Sequence, residues 1–589
     1  MQEKILLRKE ERALLEYPTL KVIPTSKKSV EIFKGYNHNI RIGSGEFYDM
    51  ENLSSDLYPV LAPRKRRGAI AGTKNIKGIC SKDELCYIDG TEFVIGDRRI
   101  EMGFDDRPKD LCSMGAYVII MPDRKYINTA DLSDFGDIDA TFVSSGEVKI
   151  SICKIDGEEY GGMTVSDTAP EEPENLQLWL DTSAVPHSLK QYSKTSGGWA
   201  SIATTYVRIH ARGIGEKFEI YDGVSISGIV DLPELNTSAV IQAKGDNFIV
   251  ITGLCDQVIT QVSAVTVKRA MPQMDFITEA GNRLWGCRYG IAENGETVNE
   301  IYASKLGDFR NWNCFMGVST DSYAATCGTD GKFTGAVTHR GYPIFFKESC
   351  LHKVYGNYPS NFQIQVTECR GVQEGCSKSL AIVNEVLYYK SRSAVCAYDG
   401  SLPIEMSMAL GEDRYRDATG GAHGNKYYIS MLNSAGKASL FVFDTSRGLW
   451  HREDSTKVLA FCEHGEEMYF IDEDNGSIKT VFGSGDEHEE AFDWFAETGF
   501  IGTDSAEKKY VSRIVMRMSL DIGSVMSIDA QYDSSDNWEH ITCIKGTNLR
   551  SFAIPIRPKR CDHFRLRFSG HGGAKIFSFV KTLEKGSDY

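Results

Sequence analysis

Glycoside cleavage needs two carboxyl groups about 5–10 Å apart, and the chain offers Asp321, Asp330 and Asp399 near turn glycines. Aspartate is favoured at such turns on conformational grounds alone, and spacing does not bring any two of these together. The segment from Ser534 to His540 has a faint likeness to the Asp-box turn of sialidases but lacks its glycine and threonine. Among the 12 histidines, His563 and His571 lie close to Cys561 and Asp562. Adjacent strand residues point to opposite faces, whereas zinc needs ligands that converge. Asp472, Asp474 and Gly476 look like part of a calcium loop, yet they sit between two strands, where Asp-Asn-Gly makes a tight turn. The glycine strings at Gly213 and Gly570 do not have the phosphate-loop spacing. No catalytic, cofactor-binding or metal residue is therefore expected, and no cofactor.

Two groups could make contacts without chemistry. The run Arg64, Lys65, Arg66 and Arg67 is the one basic patch that could meet phosphate or an acidic neighbouring subunit; the plainer reading is a solvated loop after Pro63. Trp179, Tyr192 and Trp199 could form an aromatic platform for a sugar, against a plainer reading as core.

These residues must be carried by β-structure. A fragment that starts at a turn and runs into an apolar-aromatic strand recurs at Gly281–Trp285, Gly341–Phe346, Asn384–Tyr389, Gly424–Ile429 and Gly465–Phe470. Matching Leu284, Ile344, Leu387, Tyr427 and Met468 gives intervals of 60, 43, 40 and 41 residues. A period near 40 is what four short antiparallel strands occupy, as in one β-propeller blade. The expected fold is all-β: a propeller core, an inserted β-rich module and a small C-terminal β-sandwich. The boundaries read as an arm over 1–35, first propeller strands over 36–144, the insert over 145–265, remaining blades over 266–490 and the terminal sandwich over 491–589. Trp285, Leu387, Tyr427 and Met468 are the expected blade core. In the terminal domain Ile514, Met516, Met518 and Leu520 alternate with Arg513, Val515 and Arg517, as do Phe564, Leu566 and Phe568 with Arg565 and Arg567.

The whole chain sets bounds. Its 589 residues predict several domains. A formal charge of −15 disfavours strong non-specific DNA affinity. No apolar run of membrane-spanning length exists, and the opening is too charged for a signal peptide. The 15 cysteines contain no C-x-x-C pair and read as small buried thiols in a reducing compartment.

The stretch Asn52–Gly68 resembles the opening of a family of tail proteins of bacteriophages and prophages. Gly281–Gly290, followed by Asn299–Phe315 with its phrase Ile301 to Ser304, Gly307, Asp308, Asn311 and Trp312, is similar to the tail nozzle and head-to-tail stabilising hub proteins of short-tailed phages. The resemblance implies a β-propeller-containing, non-enzymatic structural protein of the virion tail, made in the host cytoplasm. It implies a homo-oligomeric ring, hexameric among the options, on the DNA ejection path. Partners would be other tail and head-tail connector proteins, with viral DNA passing through the channel without sequence-specific binding. The alternative reading is a receptor-binding, adhesin-like tail protein whose insert recognises carbohydrate. A third is a propeller glycoside hydrolase or depolymerase.

Overall fold

The computed structural model describes residues 25–292, 295–503, 508–557 and 559–585. The opening 24 residues of the expected arm lie outside the described residues. Among those described, regular structure consists of β-strands and five short 3-10 turns, so the chain is all-β. Among the described residues no helix is long and apolar enough to cross a membrane. Two compact units divide the chain: residues 1–64 with 491–589, and residues 65–490.

Residues 65–490 contain seven antiparallel meanders, which we number one to seven in chain order: 76–101, 110–137, 276–326, 335–368, 381–405, 415–452 and 458–480. The first six have four strands hydrogen-bonded in sequence order, while sheet seven takes its fourth strand, Gly68–Ala69, from far upstream and adds Glu487–His488 beyond it. Sheets two to seven open with a hairpin whose connection is two residues long. At Gly281–Asn282, Arg340–Gly341 and Asn384–Glu385 both connecting residues have φ between 48° and 80°. That is the type I′ turn, whose twist matches the strands it joins. Gly424 and Gly465 supply positive φ at the first turn position of sheets six and seven.

This shared turn fixes register. Glu279 pairs with Leu284, Ile382 with Leu387, Ala422 with Tyr427 and Glu463 with Met468, the same step past each turn. In sheet four that step falls on Pro343, opposite Thr338, so Ile344 sits one residue further along and on the other face. The sequence alignment was therefore off by one there, because it matched apolar side chains and Pro343 was passed over. Trp285, Leu387, Tyr427 and Met468 are all buried on second strands.

The first strands of consecutive sheets lie side by side except between sheets four and five, where a 3-10 turn intervenes. Ile76–Ser81 packs beside Asp110–Met114, Asp110–Met114 beside Phe276–Ala280, and Phe276–Ala280 beside Gly335–His339. The turn Ser377–Ser379 touches both Gly335–His339 and Tyr415–His423, and Ala381–Val383 packs beside the latter. Tyr415–His423 adjoins Val458–His464, which adjoins Ile76–Ser81. Apolar clusters fill the gaps between consecutive sheets: Phe93 and Val118 between one and two, Ile119 and Leu284 between two and three, Trp285 and Phe345 between three and four. Tyr428 and Phe470 do so between six and seven, and Ile471 and Ile79 between seven and one.

Between sheets two and three the chain builds an eight-stranded sheet from Ala140–Val143 to Thr266–Arg269 and a small four-stranded sheet. The other unit joins Thr25–Val30 and Glu46–Glu51 to the strands of 491–589 in one sheet. Its longest strand, Lys509–Tyr532, buries Ile514, Met516, Met518 and Leu520. Phe564, Leu566 and Phe568 are buried likewise, while Arg565 and Arg567 turn to Glu497 at 2.7 and 2.9 Å.

Candidate functional site

The small sheet of the insert consists of Thr164–Ser166, Leu178–Asp181, Ser188–Ser193 and Gly198–Ser201. Strand alternation gives it two unlike faces. Leu178, Leu180 and Leu189 point into the apolar core of the insert, with Ile202 packed against them. Their strand neighbours Trp179, Lys190, Tyr192 and Trp199 therefore point the other way, away from that core. Trp199 pairs with Tyr192 across the ladder, and its ring lies 5.4 Å from Tyr192 and 5.3 Å from Trp179, at steep angles. Trp179 is the covered member, its Nε1 donating to the Ser166 carbonyl at 3.1 Å; Tyr192 and Trp199 are half-buried.

A polar pair completes this face. Lys190 Nζ donates to Asp181 Oδ2 at 2.8 Å and stands 4.8 Å from the Trp179 ring centre. Asp181 also accepts from Ser183, and the ammonium and these donors together hold its carboxyl down to about 2. Lys190 and Asp181 were not singled out from sequence. The signal was there: each lies two residues from an aromatic of the trio, which in a strand means the same face.

A concavity of about 320 Å³ lies where sheets two, three and four meet the turn at 377–379, lined by Asp110, Met121, Pro122, Met274, Asp275 and Lys378 among others. Lys378 Nζ is 3.5 Å from Asp110 Oδ1. Asp275 accepts from Arg288 at 2.6 Å and from the Tyr289 amide at 2.7 Å. Neither carboxylate was among the sequence candidates. Those candidates are not gathered: Asp321 caps the amides of Met316, Gly317 and Val318, Asp399 caps its own turn through Ser401, and Asp330 is exposed elsewhere.

The basic run is split in its surroundings. Arg64 is buried, donates to Asn52 Oδ1 at 2.8 Å and lies over the Phe492 ring at 4.1 Å. Arg67 is buried between Glu453 at 2.8 Å and Asp454 at 2.6 Å, which keep its guanidinium charged despite its burial. Lys65 and Arg66 are exposed, Lys65 near the Phe482 ring.

His563 bonds to Asp562 and Ser534, and His571 to Asp493, so the two histidines serve different neighbours. Asp472 accepts from the Asp474 amide and pairs with Lys479, as a turn residue does. No group of three or more histidine, cysteine, aspartate or glutamate side chains able to hold a metal occurs among the described residues.

No family model and no curated protein matches the chain. Solved structures to which it is similar include an exo-β-1,3-galactanase from Phanerochaete chrysosporium, at 7% identity over 52% of this chain and 94% of that one, TM-score 0.22. Another is Trypanosoma rangeli sialidase, at 8% identity over 68% and 87%, TM-score 0.17. A third is Chaetomium thermophilum Raptor, at 10% identity over 72% and 30%, TM-score 0.26. The resemblance to phage tail nozzle and hub proteins thus finds no support in any of the three comparisons, and the structures named are a galactanase, a sialidase and Raptor instead. The expectation of a tail-family, non-enzymatic virion component is corrected on these findings, together with its tail, connector and DNA-ejection terms. The motif that carried it, Ile301 to Trp312, has a local structural account. Ser304 bonds the Leu284 amide, Asn311 is buried and accepts from the Gly223 amide, and the Trp312 indole donates to the Phe309 carbonyl.

Proposed function

We propose that the chain is a carbohydrate-binding protein, with the outward face of the insert's small sheet as the contact surface. The observation that carries the reading is the two-faced sheet, whose core side is already filled by leucines while Trp179, Tyr192 and Trp199 gather on the other. On that side Trp179 is covered and backs the other two, while the half-buried Tyr192 and Trp199 keep ring surface open. Sugar C–H faces can cover these two rings, and Lys190, held in place by the buried Asp181, offers a donor for hydroxyls beside them. The seven meanders support a propeller as the scaffold, since contacts run from sheet to sheet round to the first, by way of the turn Ser377–Ser379 between sheets four and six, and Gly68–Ala69 adds to the last sheet. An insert between two blades, at 140–269, is then a binding module carried on a rigid body.

A glycan array probed with the full chain, followed by titration calorimetry on the best ligand, tests the proposal. Trp199→Ala is expected to weaken binding about tenfold or more, the ~1.4 kcal/mol scale of one aromatic contact, while the far-UV spectrum is kept. An array with no bound glycan, or equal binding by the variant, rejects it. Hydrolysis of the bound glycan is a second reading, favoured by Asp110 and Asp275 lining one cleft. Asp110→Asn should then abolish release of reducing ends and leave binding at the insert unchanged.

A further inference from the structure

The first sheet brings two thiols together. Cys80 and Cys86 face each other across the hairpin formed by Ile76–Ser81 and Leu85–Asp89. The Gly96 amide donates to the Leu85 carbonyl, so Leu85 turns its backbone toward the third strand and Cys86 turns its own toward Cys80. Cys80 and Cys86 are therefore a hydrogen-bonded pair, with Cα atoms about 5.5 Å apart, inside the range a disulfide spans. Paired residues share a face of the sheet, so the two thiols lie on one side of the hairpin, where the Cys86 thiol donates to the Glu84 carbonyl at 3.5 Å. Cys86 is buried and Cys80 half-buried. Lys82, in the connecting turn, adds positive charge close to both sulfurs.

We propose that Cys80 and Cys86 form a redox modification site, a dithiol that a hydroperoxide oxidises to a cross-strand disulfide. In the first step the Cys86 thiolate attacks hydrogen peroxide, the O–O bond breaks, and a sulfenic acid and hydroxide result. In the second the Cys80 sulfur attacks the sulfenic sulfur, its proton leaves with the departing hydroxide as water, and the S–S bond closes. Two thiols and one peroxide give one disulfide and two waters, the sulfurs losing two electrons. The pairing keeps the ladder register already present, so closure brings together two side chains on one face. Burial of Cys86 limits access to small oxidants. Such a bond, formed between residues of a hydrogen-bonded pair, is under strain and is reopened by dithiols.

The test is peptide mapping of the intact full chain after limited hydrogen peroxide, alkylation of the remaining thiols and trypsin without reductant. Residues 78–82 and 83–98 are separate tryptic peptides, so the disulfide yields a linked pair lighter by two hydrogens than the sum. The expected result is that this linked pair appears before the exposed Cys543 is over-oxidised, and disappears on treatment with dithiothreitol. In Cys80→Ser the linked pair should vanish and a sulfenic acid on Cys86 should be trapped by dimedone. Linkage of Cys80 to Cys462, a buried thiol on Val458–His464 in the apolar cluster between sheets seven and one, or full alkylation of both thiols while Cys543 is oxidised, overturns the proposal. The unfolding midpoint of the Cys80→Ser chain is measured alongside, and if that variant is unfolded, the wild-type peptide map alone decides.

Discussion

His352 lies on the third strand of sheet four with no exposed surface, its Nε2 2.8 Å from Thr329 Oγ1. Burial, with Lys347 close by, lowers its pKa to about 4. In the unfolded chain the same imidazole titrates near 6.5. Between those values the unfolded state binds a proton that the native state does not, so stability falls as pH drops from about 6.5 to about 4. The full effect is about 3 kcal/mol. Urea unfolding at several pH values should show this slope, and His352→Gln should flatten it; an unchanged slope would assign the acid sensitivity to other groups. Tyr427 offers a packing counterpart. It is fully buried, its hydroxyl donates to the Ser379 carbonyl at 2.7 Å, and its ring stacks 5.3 Å from Tyr388. Tyr427→Phe should cost about 1 kcal/mol, the net value of one hydrogen bond, whereas Tyr427→Ala should cost about 3–5 kcal/mol through the cavity. Denaturant midpoints separate the two, and equal losses would refute this division. The burial of Tyr427 could be read from the apolar run around it. The burial of Arg67 could not, because Glu453 and Asp454 lie nearly 390 residues away in the chain, and a basic run after a proline carries no mark of such partners.

At the scale of elements, what was legible was whatever recurs locally. A two-residue turn followed by an apolar strand has the same needs in every sheet, so the positions of Leu387, Tyr427 and Met468 followed from matching them. Sheet four broke the match because Pro343 occupies the equivalent position and Ile344 is the first strongly apolar residue after it. Contacts between sheets left a weaker trace. Gly421, in the first strand of sheet six, has no room for a Cβ, which would run into Met468 and Phe461 of sheet seven. Nothing near Gly421 in the chain predicts this, since both neighbours come from the next repeat. Gly421→Ala should therefore force the two sheets apart at a cost of about 1–3 kcal/mol. Hydrogen exchange would localise the damage to 415–423 and 458–472, and protection lost uniformly over the chain would argue against a contact between these sheets as its cause. The insert's small sheet was legible in its aromatic content but not in its sidedness. The faces became distinct only when Leu178, Leu180 and Leu189 were seen to enter the insert's core, which left the rings on the other side.

For the whole molecule, the decisive element is a strand of two residues. Gly68–Ala69 pairs antiparallel with Ile478–Thr480 on one side and with Glu487–His488 on the other. Gly68 is confined there, because a Cβ would strike the Ser484 carbonyl and the Thr480 side chain. The preceding residue, Arg67, enters the buried ion pairs with Glu453 and Asp454. The start of the 65–490 unit thus adds to its last sheet and covers the edge of Ile478–Thr480, the closure that the proposed propeller requires. Two fragments test the importance of that closure. Residues 65–490 retain every strand of the seven sheets and should unfold cooperatively. Residues 71–490 lack Arg67 and the closing strand. They leave Glu453 and Asp454 without their buried cation, a loss of about 3–5 kcal/mol when one partner of such a pair is removed, and they also expose the edge of Ile478–Thr480. The shorter fragment should therefore melt well below the longer one, and exchange should be fastest in 458–488 and in 76–81, which packs against it. Equal melting temperatures would mean that the seven sheets do not depend on closure, and would remove the main support for reading them as a propeller.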